Sequence, residues 1–452
     1  MKTIAAISTA TGNGGIGIVR LSGENAFSIL EKVFVPKNSS TIKPYTIKYG
    51  HIVDKGEIID EVLVSYFVAP KSYTTEDMCE INSHGSFVVL NRILNLCLKN
   101  GATLAEPGEF TKRAFLNGRI DLSQAESVMD IIHAKSEKER QAAVNQLDGY
   151  LSNEIHQIKK KVLDLLSDIE ATIDYPEYDI EEVTNQKALK ALDTIEQSLN
   201  QLEQSFQNGK LIKNGIKTAI IGKPNVGKSS LLNMILKEDR AIVSQYEGTT
   251  RDSIEEDISV NGIPIRIIDT AGIRHADDEI EKIGIEKAKE IADSADLIIA
   301  LFDYARPLSN EDKEIIQLIR NKKAILVCNK ADKKNQKFQK EILEELQKPM
   351  IDMSIIEKKG IHELYDQITK MFRLNDINVN DEVVITNIRH VNLIREAEKN
   401  LKEARKTIQN NMPIDIISIN IKEIIEALNA ITGENATEDI IQDIFRKFCL
   451  GK

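Results

Sequence analysis

Eight residues constrain the fold more tightly than any others in the chain. Gly222-Lys223-Pro224-Asn225-Val226-Gly227-Lys228-Ser229 reads G-x-x-x-x-G-K-S. An apolar run, Lys217-Thr218-Ala219-Ile220-Ile221, precedes it, and Ser230-Leu231-Leu232-Asn233-Met234-Ile235 follows with helical character. Between a strand and a helix, such glycines let backbone N–H groups turn inward around a phosphate, and the helix N-terminus adds partial positive charge. Lys228 is placed to reach the β- and γ-phosphates, and Ser229 to ligate Mg²⁺. Three more short apolar runs, Ile263–Ile268, Leu297–Phe302 and Ala324–Cys328, read as buried strands of a mostly parallel sheet around this loop.

The base is read elsewhere. Asn329-Lys330-Ala331-Asp332 ends the fourth apolar run, and a carboxylate at Asp332 can accept from guanine's ring N–H and exocyclic amine together. Adenine lacks that donor pair and would leave the acceptor unpaired. One strand–helix unit earlier, Asp269-Thr270-Ala271-Gly272 is expected to hold Mg²⁺ through water at Asp269 and to sense the γ-phosphate at the Gly272 amide. Thr250, in Thr249-Thr250, is expected to be a second Mg²⁺ ligand on a switch loop. Together these elements specify hydrolysis of GTP. The position after Gly272, where many small GTPases carry a water-orienting Gln, is Ile273, whose aliphatic side chain cannot do that work. Arg274, Glu279 and Glu281 are the candidates in the following segment, and Glu281 is nominated as the base or water-orienting group.

The rest of the 452 residues divides by texture. Short strands broken by glycine and proline, with a helix expected over Phe87–Lys99, make residues 1–118 an α+β domain. Residues 119–212 are helical, with Ile155, Ile158, Val162, Leu165, Ile169 and Ile173 at three- and four-residue steps, broken at Pro176. The α/β nucleotide domain, 213–373, is then inserted before a second helical stretch, 374–452. The formal charge, 59 Lys+Arg against 70 Asp+Glu or −11, argues against a broad basic coat. A nucleic-acid partner would need a local patch such as Lys159-Lys160-Lys161. Cys79, Cys97, Cys328 and Cys449 are too scattered for a zinc site or disulfide framework, no apolar run approaches the roughly 20 residues of a membrane helix, and a cytoplasmic location is expected. The apolar tail Phe445–Leu450 is expected to be buried, with Cys449 read first as a small buried hydrophobe and second as a reactive thiol.

Several stretches in order carry a family resemblance: Gly14-Gly15-Ile16-Gly17-Ile18-Val19-Arg20-Leu21-Ser22-Gly23, Pro107-Gly108-Glu109-Phe110-Thr111, Arg113–Glu126, Gly248-Thr249-Thr250-Arg251-Asp252, Asn387-Ile388-Arg389-His390 and Cys449-Leu450-Gly451-Lys452. From end to end the chain resembles the MnmE (TrmE) family of tRNA modification GTPases. The resemblance implies an N-terminal tetrahydrofolate-binding and dimerisation domain, a discontinuous helical domain and an inserted Ras-like P-loop domain. It implies a homodimer that joins a flavin-dependent MnmG-type partner in a heterotetramer. Together they add an aminomethyl-type or carboxymethylaminomethyl group to C5 of the wobble uridine of tRNA. It places 5-formyltetrahydrofolate, or a related tetrahydrofolate, on Arg20, Glu80, Arg119 and Lys452. It places K⁺ on Asn225, Ser244, Tyr246 and Thr249, and a catalytic role on Glu281, with Arg274 beside it. GTP contacts are carried over to Asn225, Val226, Gly227, Lys228, Ser229 and Ser230. They extend to Ser244, Gln245, Tyr246, Glu247, Gly248, Thr249 and Thr250, then Asp269, Thr270, Ala271 and Gly272, and finally Asn329, Lys330, Asp332 and Ser354. Two departures stand out: Ser354-Ile355-Ile356 where the family usually reads Ser-Ala, and Asp174-Tyr175-Pro176 where it usually reads Asp-Phe-Pro. A ribosome-assembly switch is the alternative, but no GxxG-bearing KH-like segment follows the nucleotide domain. A membrane-remodelling GTPase is opposed by the acidic balance and by the lack of a basic amphipathic helix.

Overall fold

A computed structural model describes residues 2–10, 12–38, 43, 45–174, 181–240, 256–268, 284–379, 383–410 and 412–452. Its chain forms two compact units. The first comprises Met1–Ile132, Gln146–Leu199 and Asn392–Lys452, and the second His133–Asn145 and Asn200–Val391.

In the first unit, seven described strands pair in the order β3-β4-β5-β6-β2-β1-β7. They are β1 Ile4–Ile7, β2 Gly14–Ser22, β3 Phe34–Pro36, β4 Thr46–Asp54, β5 Glu57–Phe67, β6 Met78–Gly85 and β7 Thr103–Leu104. All neighbours are antiparallel except β1 and β7. Gly14 and Gly15 begin β2. Strand side chains alternate between faces, so one set packs against the helices Ala26–Val33 and Phe87–Lys99, where Val19, Leu21, Val62, Val64, Ile81, Ile93 and Cys97 are buried. The other face keeps Arg20 and Glu80 directly opposite each other in the β2–β6 register.

The expected helical stripe lies on Tyr150–Asp174, which packs against Ile414–Thr432. Ile155, Ile158, Val162 and Ile169 are fully buried against Ile421, Ile424 and Leu428, but Ile173 at the stripe's end is exposed. Pro176 lies outside the described residues. Lys159 Nζ donates to Glu434 Oε2 at 2.5 Å and Lys161 Nζ to Ser198 Oγ at 3.2 Å, so two of the three lysines are tied to packed neighbours.

The second unit holds the parallel sheet. Its described strands are β8 Ile216–Ile221, β9 Glu256–Val260, β10 Ile263–Ile267, β11 Leu297–Asp303, β12 Ala324–Asn329 and β13 Met350–Met353, in the order β13-β12-β11-β8-β10-β9. Only β9 runs antiparallel among them. Sequence patterning finds β8, β10, β11 and β12 because they are nearly all apolar. It passes over β9 and β13, where Glu256, Asp257 and Asp352 interrupt the runs. Because β8, β11 and β12 are parallel neighbours, the loops leaving their C-terminal ends gather on one edge, where open α/β sheets bind ligands. No described helix is long and apolar enough to cross a membrane.

Candidate functional site

The loop after β8 takes the conformation that its glycines and Asn225 permit. Asn225 and Gly227 both have left-handed backbones, at φ 60° and 106°. A Cβ at Gly227 would sit 2.4 Å from Asn329 Nδ2, so only glycine fits between the two nucleotide motifs. Val226 is fully buried and pins the loop's centre. Lys228 opens the helix Lys228–Arg240, and its ammonium bends back to donate to Gly222 O at 2.7 Å and Lys223 O at 3.0 Å. Ser229 and Ser230 follow in the same first turn.

The guanine motif meets this loop directly. Asn329, at the end of β12, donates through Nδ2 to Val226 O at 2.7 Å, while its Oδ1 is buried with no hydrogen-bond partner among the described residues. A buried acceptor left open in this way suits a ligand N–H. Lys330, at φ 65°, donates to Asn225 O at 3.1 Å and pairs with Asp303 Oδ2 at 2.7 Å. Burial alone would raise the Asp303 carboxyl. The hydrogen bond from Lys330, the Ala305 amide and the charges of Lys330 and Arg306 outweigh it and hold that carboxyl below its ordinary value. The Asp332 carboxylate is exposed and accepts from the buried Ser354 hydroxyl at 2.7 Å, which fixes its direction. Of the two isoleucines that follow, Ile355 is partly buried against the core and lies beside Gly227, whereas Ile356 is 77% exposed.

Asn225, Val226, Gly227, Lys228, Ser229 and Ser230 are thus brought together with Asn329, Lys330, Asp332 and Ser354. Ser244, Gln245, Tyr246, Glu247, Gly248, Thr249, Thr250, Asp269, Thr270, Ala271, Gly272, Arg274, Glu279 and Glu281 lie outside the described residues.

A second cluster forms on the sheet face of the first unit opposite the two helices. Arg20 donates from Nε to Glu80 Oε1 at 2.8 Å and from one terminal nitrogen to Gly451 O at 3.3 Å. Its guanidinium lies 5.6 Å from the Tyr73 ring centre and 5.5 Å from that of Phe110, and Arg119 covers Tyr73 at 4.5 Å. The chain end is threaded into this cluster. Ser8 Oγ donates to Gly451 O at 3.0 Å, the Gly108 amide to Cys449 O at 3.3 Å and the Phe110 amide to Lys452 O at 3.2 Å. Gly451 has φ 85°, and a Cβ there would stand 2.3 Å from Ile7 O. Burial and then the charge of Arg20 push the Lys452 ammonium below its ordinary value. All four residues expected to hold a folate are therefore found together. Three cations, one carboxylate and two aromatic faces fit an anionic, planar, hydrogen-bonding ligand. Tyr73 and Phe110 carried no signal of this placement in the sequence, because whether a ring lies beneath a cation depends on what folds over it.

The tail corrects two expectations. Phe445 and Phe448 are buried, but Leu450 is 50% exposed, because a strap four residues long cannot turn every side chain inward. Cys449 is exposed rather than a buried hydrophobe, while Cys79, Cys97 and Cys328 are the buried thiols.

Two family models match the chain: one described as the GTP-binding protein TrmE N-terminus over residues 3–119, and one as the MnmE helical domain over residues 122–449. A protein of Acetivibrio thermocellus named tRNA modification GTPase MnmE is 49% identical over 454 residues, covering 100% of this chain and 99% of that protein. A protein of the same name from Lactobacillus delbrueckii subsp. bulgaricus is 48% identical over 452 residues, covering 100% and 98%. A solved structure of Era from Aquifex aeolicus bound to GDP.AlF4- is 27% identical, covers 41% of this chain and 66% of that chain, and has a TM-score of 0.27. With half of its positions shared along its entire length, and with family models spanning both flanks of the phosphate loop, the chain belongs to the MnmE (TrmE) family of tRNA modification GTPases.

Proposed function

We propose that the chain hydrolyses GTP to drive the addition of an aminomethyl or carboxymethylaminomethyl group to C5 of the wobble uridine of tRNA. It does so in the cytoplasm as a homodimer, in a heterotetramer with a flavin-dependent partner of the MnmG type. The observation that carries the GTP part is the Asn329 amide, which ties the guanine motif to the phosphate loop at 2.7 Å. Lys228 neutralises phosphate charge, Ser229 and Thr250 hold Mg²⁺, and Asp332 with Ser354 selects guanine over adenine. Arg274 and Glu281 take the place of the missing Gln in orienting the attacking water. Asn225, Ser244, Tyr246 and Thr249 offer oxygen ligands to a K⁺ ion, which would neutralise charge where an arginine finger otherwise does.

Arg20, Glu80, Arg119 and Lys452 bind a tetrahydrofolate such as 5-formyltetrahydrofolate, with Glu80 accepting from pterin N–H groups and the cations facing anionic oxygens. When bound, the folate supplies the one-carbon unit. Cys449, exposed beside this cluster, is available as a thiol. Mass spectrometry of wobble uridines from cells lacking the protein tests the reading: loss of the C5 modification is expected, and unchanged uridines would overturn it. GTP turnover in K⁺ and Na⁺ buffers tests the cation, with faster turnover expected in K⁺ and equal rates refuting it.

A further inference from the structure

Two carboxylates that belong to none of these motifs reach the nucleotide loops from one connection. Asp303 ends β11, and Asp312 lies in the first turn of the helix Asn310–Ile319. Asp312 accepts from the Ser309 backbone and hydroxyl at 2.8 Å each, in a capping box. A capping box alone needs no burial, since exposed helices carry it routinely. Here the Asp312 side chain is only 1% exposed, its Oδ1 is buried without a partner among the described residues, and its Oδ2 also takes Lys223 Nζ at 2.6 Å. A buried carboxylate with an open oxygen is unfavourable unless a cation neutralises it, and Lys223 is that cation. Lys223 occupies a variable position of the phosphate loop, yet its side chain is held by Asp312 and by Ser309 Oγ at 3.3 Å. Its own carbonyl accepts from Lys228.

The second link has the same logic. Asp303, 4% exposed, fixes Lys330, and Lys330 donates to the Asn225 carbonyl. Residues 223 and 225, two positions apart in the loop, are therefore each tied to one acid: Lys223 by its own side chain to Asp312, and the Asn225 carbonyl through Lys330 to Asp303. We propose that Asp303 and Asp312 are positioning residues that clamp the phosphate loop at two points, through Lys330 and Lys223, and so couple the guanine-reading segment to phosphate binding. The proposal rests on reading this loop as the GTP site.

GDP titration of the full chain by calorimetry, in Mg²⁺ and K⁺ buffer, tests it beside the melting midpoint of the nucleotide-free protein. Lys223→Met and Asp303→Asn are each expected to weaken GDP binding about tenfold, with Lys223→Arg within about threefold of the unsubstituted chain. A pair that merely stiffens the fold would lower the midpoint and leave the affinity of folded protein unchanged, and that result would overturn the proposal. If Lys223→Met does not fold, the near-isosteric Asp303→Asn decides the matter alone. Failure of the unsubstituted chain to bind GDP would overturn the GTP reading and this one with it. Tight binding by the unsubstituted chain and both variants would overturn this one only.

Discussion

The nucleotide loops and the N-terminal cluster are both built from lysines, arginines and carboxylates, yet they are assembled in different ways. The nucleotide site uses backbone groups at the ends of three adjacent parallel strands, β8, β11 and β12, and its side chains mostly fix those backbones. The N-terminal cluster uses side chains drawn from residues 20, 73, 80, 110, 119 and the chain end, spread over the whole length of the sequence. A loop that cradles phosphate with N–H groups tolerates few spacings, because turn geometry sets them. A cluster on a sheet face tolerates many, because any segment that folds across the face can contribute.

The largest expected effect strikes one side of that contrast only. Lys228→Ala should lower GTP turnover by on the order of 10²–10³-fold, as removal of a pre-organised charge from phosphoryl transfer does. Binding of 5-formyltetrahydrofolate by the same variant, measured by equilibrium dialysis, should stay within about twofold. A large loss of both would mean that the two sites are not separable. The reciprocal substitution, Arg20→Ala, removes the partner of Glu80 and one cation facing Tyr73 and Phe110. Folate affinity should fall by about 10–100-fold, since Glu80 would be left partly buried without its cation. GTP turnover should hold.

The same contrast explains what could be read from the sequence. The phosphate loop, the guanine motif, the all-apolar strands and the helix Phe87–Lys99 were legible because each is local. The Lys223–Asp312 pair was not: the two are 89 residues apart, and each alone reads in the sequence as an ordinary charged residue. Tyr73 and Phe110 were illegible for a similar reason, as aromatic residues are more often core than platform. Cys449 was misjudged because its apolar neighbours suggested burial, whereas the strap holds it by its backbone carbonyl and leaves its thiol outside.

That thiol gives a smaller but clean test. A chromogenic disulfide reagent should titrate one fast thiol in the native chain, Cys449, and the remaining three only after denaturation. Burial pushes the Cys97 and Cys328 thiols up to about 12 and Cys79 well above its ordinary value, so these three stay protonated and inert at neutral pH. Cys449→Ser should abolish the fast phase. A second fast thiol would show that the sheet cores open more readily than their burial implies.

The smallest expected effects lie in pH, and they separate the two regions by where they act. Asp303 has its carboxyl held below the ordinary 3.8, so its contribution to stability is complete above that value and is lost only as pH falls through the lowered one. Lys452 is a base held below its ordinary 10.5. The native chain therefore releases that proton before the unfolded chain does, and stability rises with pH between the lowered value and 10.5. Both terms make stability grow with pH, one at the acid end from the nucleotide site and one at the alkaline end from the N-terminal cluster. Ligand binding reverses the second sign. An anionic folate favours the charged Lys452, so its affinity should decline as pH rises through the lowered value, earlier than for an ordinary lysine. Lys452→Arg, which keeps its charge, should flatten that decline, and an equally steep decline in the variant would assign it to another group.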